Sequence, residues 1–121
     1  MTETQDLKVR TKQFALQIIR LYTSLPKTTE AQVLGKQVLR SGTSVGAQYR
    51  EAQRPKSDAD FISKVEGSLQ ELDETGYWLE LLKDSGICNA ETLNTLVKET
   101  DELTAIFVTI VKKVKDKRAV R

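Results

Sequence analysis

Apolar residues recur every three or four positions in four separate stretches of this chain, and no stretch alternates with the period of two that a strand requires. In the first stretch Leu7, Phe14, Ile18, Leu21 and Leu25 share one helical face. Pro26 ends the pattern, because the residue before a proline avoids helical geometry. The second opens at Thr29, whose hydroxyl forms a capping box with Gln32, and runs to about Arg54, just ahead of Pro55. The third enters through Ser57 or Asp58 and continues to Ser85, with Gly86 supplying a left-handed stop. Asn89 caps the fourth, in which Leu93, Leu96, Thr100, Leu103, Phe107, Ile110 and Val114 step by three and four. The spacing predicts helices over about 6–25, 29–54, 58–85 and 90–117. Connections this short make successive helices antiparallel. The expected fold class is therefore all-α, an antiparallel up-and-down four-helix bundle, as a single domain over 1–121.

Within the second helix, Leu34 to Gln53 sorts three chemistries onto three faces. At 100° per residue, Lys36, Arg40, Arg50 and Arg54 fall within an arc of about 80°, opposite Leu34, Val38, Val45 and Tyr49. Gly35, Gly42 and Gly46 form a third line, on which a neighbouring backbone comes close. Each glycine costs a helix interior ~1 kcal/mol against alanine, which close packing must offset. A phosphate-cradling reading of SGTSVG fails for want of a preceding strand and a suitably placed lysine. In the third helix, Phe61, Ile62, Val65, Leu69, Leu72, Gly76 and Leu79 define a core arc. Trp78, Leu81 and Leu82 point outside it, as Val9 and Leu16 do in the first helix. These leftovers predict a subunit interface formed by Trp78, Leu81, Leu82 and Leu16. The alternative is a wide core face on a bent helix.

Charge sharpens this picture. Residues 1–56 carry ten Lys and Arg against four Asp and Glu, residues 57–111 three against twelve, and residues 112–121 six against one. The chain is basic, then acidic, then basic. Either the helices attract one another through these charges, or the basic segments meet an anionic partner. Candidate phosphate contacts are Lys36, Arg40, Arg50 and Arg54, with Lys112, Lys113 and Lys115 from the basic tail 112–121. Glu71 and Glu74 flank Trp78 and offer partners to Arg40, Arg50 or a neighbouring subunit.

Several function classes drop out. The chain has no histidine and a single cysteine, Cys88, so the usual zinc, haem and di-metal bundle ligands and the base of a serine triad are missing. No cofactor, no metal and no enzymatic activity are expected. No apolar run has the length of a membrane span or the form of a signal peptide, which makes a cytoplasmic location and no membrane partner the expectation.

The run LGKQVLRSGTSVGAQYREAQRPKSDADFISKVEGSLQELDETGYWLELLKDSGI resembles the four-helix-bundle family of the 23S rRNA intervening-sequence type. The resemblance covers about residues 10–115 and is densest in LRSGTSVGAQYREA, ADFISK and ETGYWLELL. It implies a homopentameric bundle. It also implies kinship with the accessory variability protein of diversity-generating retroelements, a basic pentamer that works with a reverse transcriptase and binds nucleic acid. Gln48 stands where that pattern leads one to expect asparagine, and the acidic middle third is less basic than the relative. Two readings follow. In one, a homo-oligomer binds RNA or DNA through phosphates with little sequence specificity. In the other, a scaffold engages a protein partner such as a nucleic-acid enzyme.

Overall fold

The structure is a computed structural model that describes residues 3–120, with side chains from 7 to 119. It contains α1 (Glu3–Ser24), α2 (Thr29–Ala52), α3 (Asp58–Asp84) and α4 (Ala90–Val120), an antiparallel four-helix bundle without strands among the described residues. The punctuation acts where the sequence places it. Ser57 accepts the N–H of Asp60 at the start of α3, Asn89 accepts that of Thr92 at the start of α4, and Gly86 takes φ +77°. One cap differs. Thr28, not Thr29, holds extended geometry and accepts the N–H of Ala31, while Gln32 donates to the Pro26 carbonyl and accepts from the Tyr22 hydroxyl. No capping box forms, because the glutamine is occupied by the preceding turn.

The buried residues follow seven-residue rows, the signature of bundle packing. Leu7, Phe14 and Leu21 form one row of α1, and Thr11, Ile18 and Leu25 the other. In α2, Ala31, Val38, Val45 and Ala52 run beside Gly35, Gly42 and Tyr49. In α3, Val65, Leu72 and Leu79 run beside Ser68, Thr75 and Leu82. Leu82 is thus fully buried core rather than a leftover. Two polar members disguise its row, and a strict heptad drifts ~20° per repeat on an ideal helix. In α4, Val111 takes a buried position and leaves Ile110 and Val114 half-buried.

Three seams hold the bundle. The α2–α3 seam is the most extensive, and small hydroxyls knit it: the Ser41 and Thr75 oxygens lie 2.8 Å apart and Ser68 donates to the Val45 carbonyl at 3.0 Å. Along α1–α2 the glycines face bulky side chains. A Cβ on Gly35 would come within 2.6 Å of Leu25, one on Gly42 within 2.7 Å of Ile18, and one on Gly46 within 3.1 Å of Thr11. The falling partner numbers show the antiparallel register directly. The α3–α4 seam matches α1–α2 in extent, whereas α1 and α4 barely touch. Across that open side, Arg10 makes a two-pronged bond to Glu99 at 3.1 and 2.6 Å and reaches Glu102 at 3.3 Å. The hydrogen bond to Glu99, against some burial, raises the Arg10 pKa.

Candidate nucleic-acid interface

Lys36, Arg40 and Arg50 share a direction around α2 but not a surface, and Arg54 lies just past the helix, which ends at Ala52 rather than at the predicted Arg54. Arg40 is neutralised across the α2–α3 seam, with Nη1 donating to Glu71 at 3.3 Å and Nη2 to Glu74. Lys36 is exposed and stands fourteen residues before Arg50, ~21 Å along the helix axis. It belongs to the far end of the bundle, where carboxylates dominate. There, a groove of about 580 Å³ between α3 and α4 is lined by Tyr77, Glu80, Lys83, Asp84 and Asp101 over Gly76 and Thr100.

Arg50 and Arg54 have different neighbours. The end of α2 packs beside the first turns of α1, as Gly46 against Thr11 shows, and this register brings Lys8 and Lys12 alongside them. Lys8, Arg50, Gln53 and Arg54 line a shallow groove of about 310 Å³. Arg50 also lines its continuation with Lys12, Ala15, Thr43 and Ala47. All four cations are exposed, and none has an ion-pair partner among the described residues. On the other side of Arg54, Lys64 is compensated by Glu51, to which it donates at 2.9 Å, a bond that raises the Lys64 pKa, and the backbone N–H of Lys56 donates to Asp60.

Lys112, Lys113 and Lys115 occupy the last turns of α4, at this same end of the bundle, since Lys115 reaches Glu66 of early α3 at 3.2 Å. The Arg121 end of the predicted tail lies outside the described residues. A helix C-terminus favours cations within its last turn, which accounts for Arg50 in α2 without any ligand, whereas Lys112, Lys113 and Lys115 precede the last turn of α4, whose cations are Lys117 and Arg118. Lys8 and Lys12 have no such support, being near the opposite pole of α1. They are like charges one turn apart on α1, an arrangement that costs a helix ~0.2–0.5 kcal/mol.

The helical wheel of α2 alone does not contain Lys8 and Lys12. Their spacing of four is visible in the sequence, but their partnership with Arg50 depends on the interhelical register. No aromatic face joins them. Tyr49 is 1% exposed and stacks on Phe107 with centroids 5.5 Å apart, and burial raises its pKa despite a hydrogen bond with Gln53.

Of the remaining predicted positions, Trp78 packs partly against the core, 5.1 Å from the Tyr77 ring, and its buried Nε1 has no hydrogen-bond partner among the described residues. Leu81 and Leu16 are half-buried, and Val9, Ile19, Val33 and Tyr77 are exposed. No helix is long and apolar enough to cross a membrane, and no group of three or more His, Cys, Asp or Glu could hold a metal, in both cases among the described residues.

Residues 3–109 match the family model described as 23S rRNA-intervening sequence protein. Among solved structures, the chain is similar to a protein of unknown function from the S23 ribosomal protein family of Bacteroides thetaiotaomicron. The two are 39% identical, over 88% of this chain and 98% of that one, with a TM-score of 0.83. Comparison with curated proteins gives no match.

Proposed function

Because the chain belongs to the 23S rRNA-intervening sequence protein family, we propose that it is a non-enzymatic, RNA-related protein that binds nucleic acid through phosphates. The groove between α1 and α2 is the site. The observation that carries this reading is the grouping of Lys8, Lys12, Arg50 and Arg54 along one groove without carboxylate partners among the described residues. Lys112 and Lys113 extend the same basic end. Lys36 and Arg40 are left out, the first by distance and the second by its ion pairs.

Self-association belongs to the same proposal. Half-buried Leu81 and exposed Tyr77 beside Trp78 on α3, and half-buried Leu16 on α1, supply separate apolar positions for it, and a ring, pentameric by likeness to the retroelement accessory proteins, would repeat the groove around its axis. Light scattering at micromolar concentration measures the mass; a monomer would sink this part. Binding is tested by fluorescence anisotropy with a labelled RNA. Arg50→Gln with Arg54→Gln should weaken all sequences alike, because phosphate contacts carry no base information, while Lys36→Gln should leave affinity unchanged. No binding by the parent protein at low salt would end the nucleic-acid reading.

A further inference from the structure

We infer that Glu51 guards the phosphate site by holding Lys64 out of it, an inference that rests on the phosphate-binding reading above. Arg54, in the turn after α2, lines two grooves. One is the cationic groove it shares with Lys8, Arg50 and Gln53. The other, of about 260 Å³ between the end of α2 and the start of α3, is lined by Glu51, Arg54, Lys56, Asp60 and Lys64. The basic surface therefore continues past Arg54, into a groove where three cations meet two carboxylates. Of those cations, Lys64 is the one in an ion pair among the described residues, with Glu51 at 2.9 Å.

The two carboxylates differ in what accounts for them. Asp60 belongs to the start of α3, where a helix favours negative charge. Its N–H donates to the Ser57 hydroxyl at 3.0 Å, and its carboxylate accepts the Lys56 N–H at 3.1 Å. Glu51 has no such support. It lies in the last turn of α2, the pole that disfavours a carboxylate, and Ala47, one turn earlier, offers it no cation. Its pair with Lys64 is exposed on both sides, an arrangement that adds little to stability. What Glu51 does is cancel a lysine that shares a groove with Arg54 and Lys56. A phosphate reaching past Arg54 must compete with Glu51 for Lys64, so this carboxylate sets the ceiling on affinity.

The test is anisotropy with a labelled single-stranded RNA, between about 50 and 200 mM salt, on the parent, Glu51→Gln, Lys64→Gln and the double variant. Glu51→Gln should bind tighter, with a log-log slope steeper by ~0.7. For a contact worth nothing at 1 M salt, that is a gain of about eightfold at 50 mM and about threefold at 200 mM. In the Lys64→Gln background the same substitution should lose more than half of that gain, counted as log affinity. A gain of which half or more survives without Lys64 would mean plain repulsion of the ligand by Glu51 and overturns the inference, as does no gain at all. In both cases binding by the parent keeps the phosphate site. No binding by parent or variants at about 50 mM overturns both. Because Glu51 is exposed, thermal melts of Glu51→Gln should match the parent; if they do not, Glu51→Ala repeats the comparison.

Discussion

Replacing Gly42 by alanine sets helix propensity against packing, and the geometry decides the sign. Alanine is the better helix former by ~1 kcal/mol. The new Cβ, however, would stand 2.7 Å from Cγ1 and 2.9 Å from Cγ2 of Ile18, a fully buried side chain. A β-branched residue in a helix has essentially one χ1 rotamer, so Ile18 cannot turn aside and the helices must separate. Overpacking of this kind costs ~1–3 kcal/mol, leaving a net loss of about 1 kcal/mol. At the usual unfolding entropy per residue, this lowers Tm by ~4 °C for a chain of 121 residues. Gly76→Ala is the control. Its Cβ would meet only Thr100 Cγ2 at 3.9 Å, an ordinary contact, so propensity alone acts and Tm should rise by ~4 °C. Calorimetry on the two variants should find shifts of opposite sign. In an Ile18→Ala background, Gly42→Ala should turn neutral or stabilising, because the obstructing atoms are gone. A higher Tm for Gly42→Ala in the parent background would refute the close-approach reasoning.

Leu82→Ala should destabilise the subunit by ~2–5 kcal/mol in urea melts, as a fully buried leucine, whereas Leu81→Ser should mainly lower the mass seen by light scattering. Arg10→Gln should cost only ~1 kcal/mol or less, since its ion pairs are partly exposed, and the loss should shrink at 1 M salt. Tyr49 is held neutral by burial, so its folded pKa lies above the ordinary 10.0 and stability should fall as pH rises through and beyond that value. The absorbance titration of the parent minus that of Tyr49→Phe should place the Tyr49 midpoint above 10.0; a midpoint at or below that value would contradict the burial.

The fold was legible because its punctuation is chemical and local. Pro26, Pro55, Gly86 and Asn89 each set a boundary by a constraint on one or two residues, and the apolar steps identify most of the core. What escaped was relational. Leu82 belongs to a row whose other members are Ser68 and Thr75, buried because their hydroxyls find partners on Val45 and Ser41. A hydrophobicity pattern cannot see such a row. The basic stripe failed differently: a helical wheel keeps the angle around the axis and discards the rise along it, so Lys36 and Arg50 look adjacent though they occupy opposite ends. Lys8 and Lys12 became part of the candidate site only through the antiparallel register that the glycines set.

The near absence of contact between α1 and α4 bears on how the molecule opens. Each tight seam joins helices that are neighbours in the chain, so the bundle is a zigzag of three hairpins instead of a closed ring, and such short-range connectivity favours fast folding. In hydrogen exchange, α2 and α3, flanked on both sides, should be the slowest to release their amides. The outer helices, each secured along one edge, should open at lower free energy. The cationic groove straddles the hinge between a slow helix and a fast one. An anion spanning Lys8 and Arg50 would therefore clasp α1 to α2, so that occupancy would register as slowed exchange along the whole of α1, including turns far from the contact.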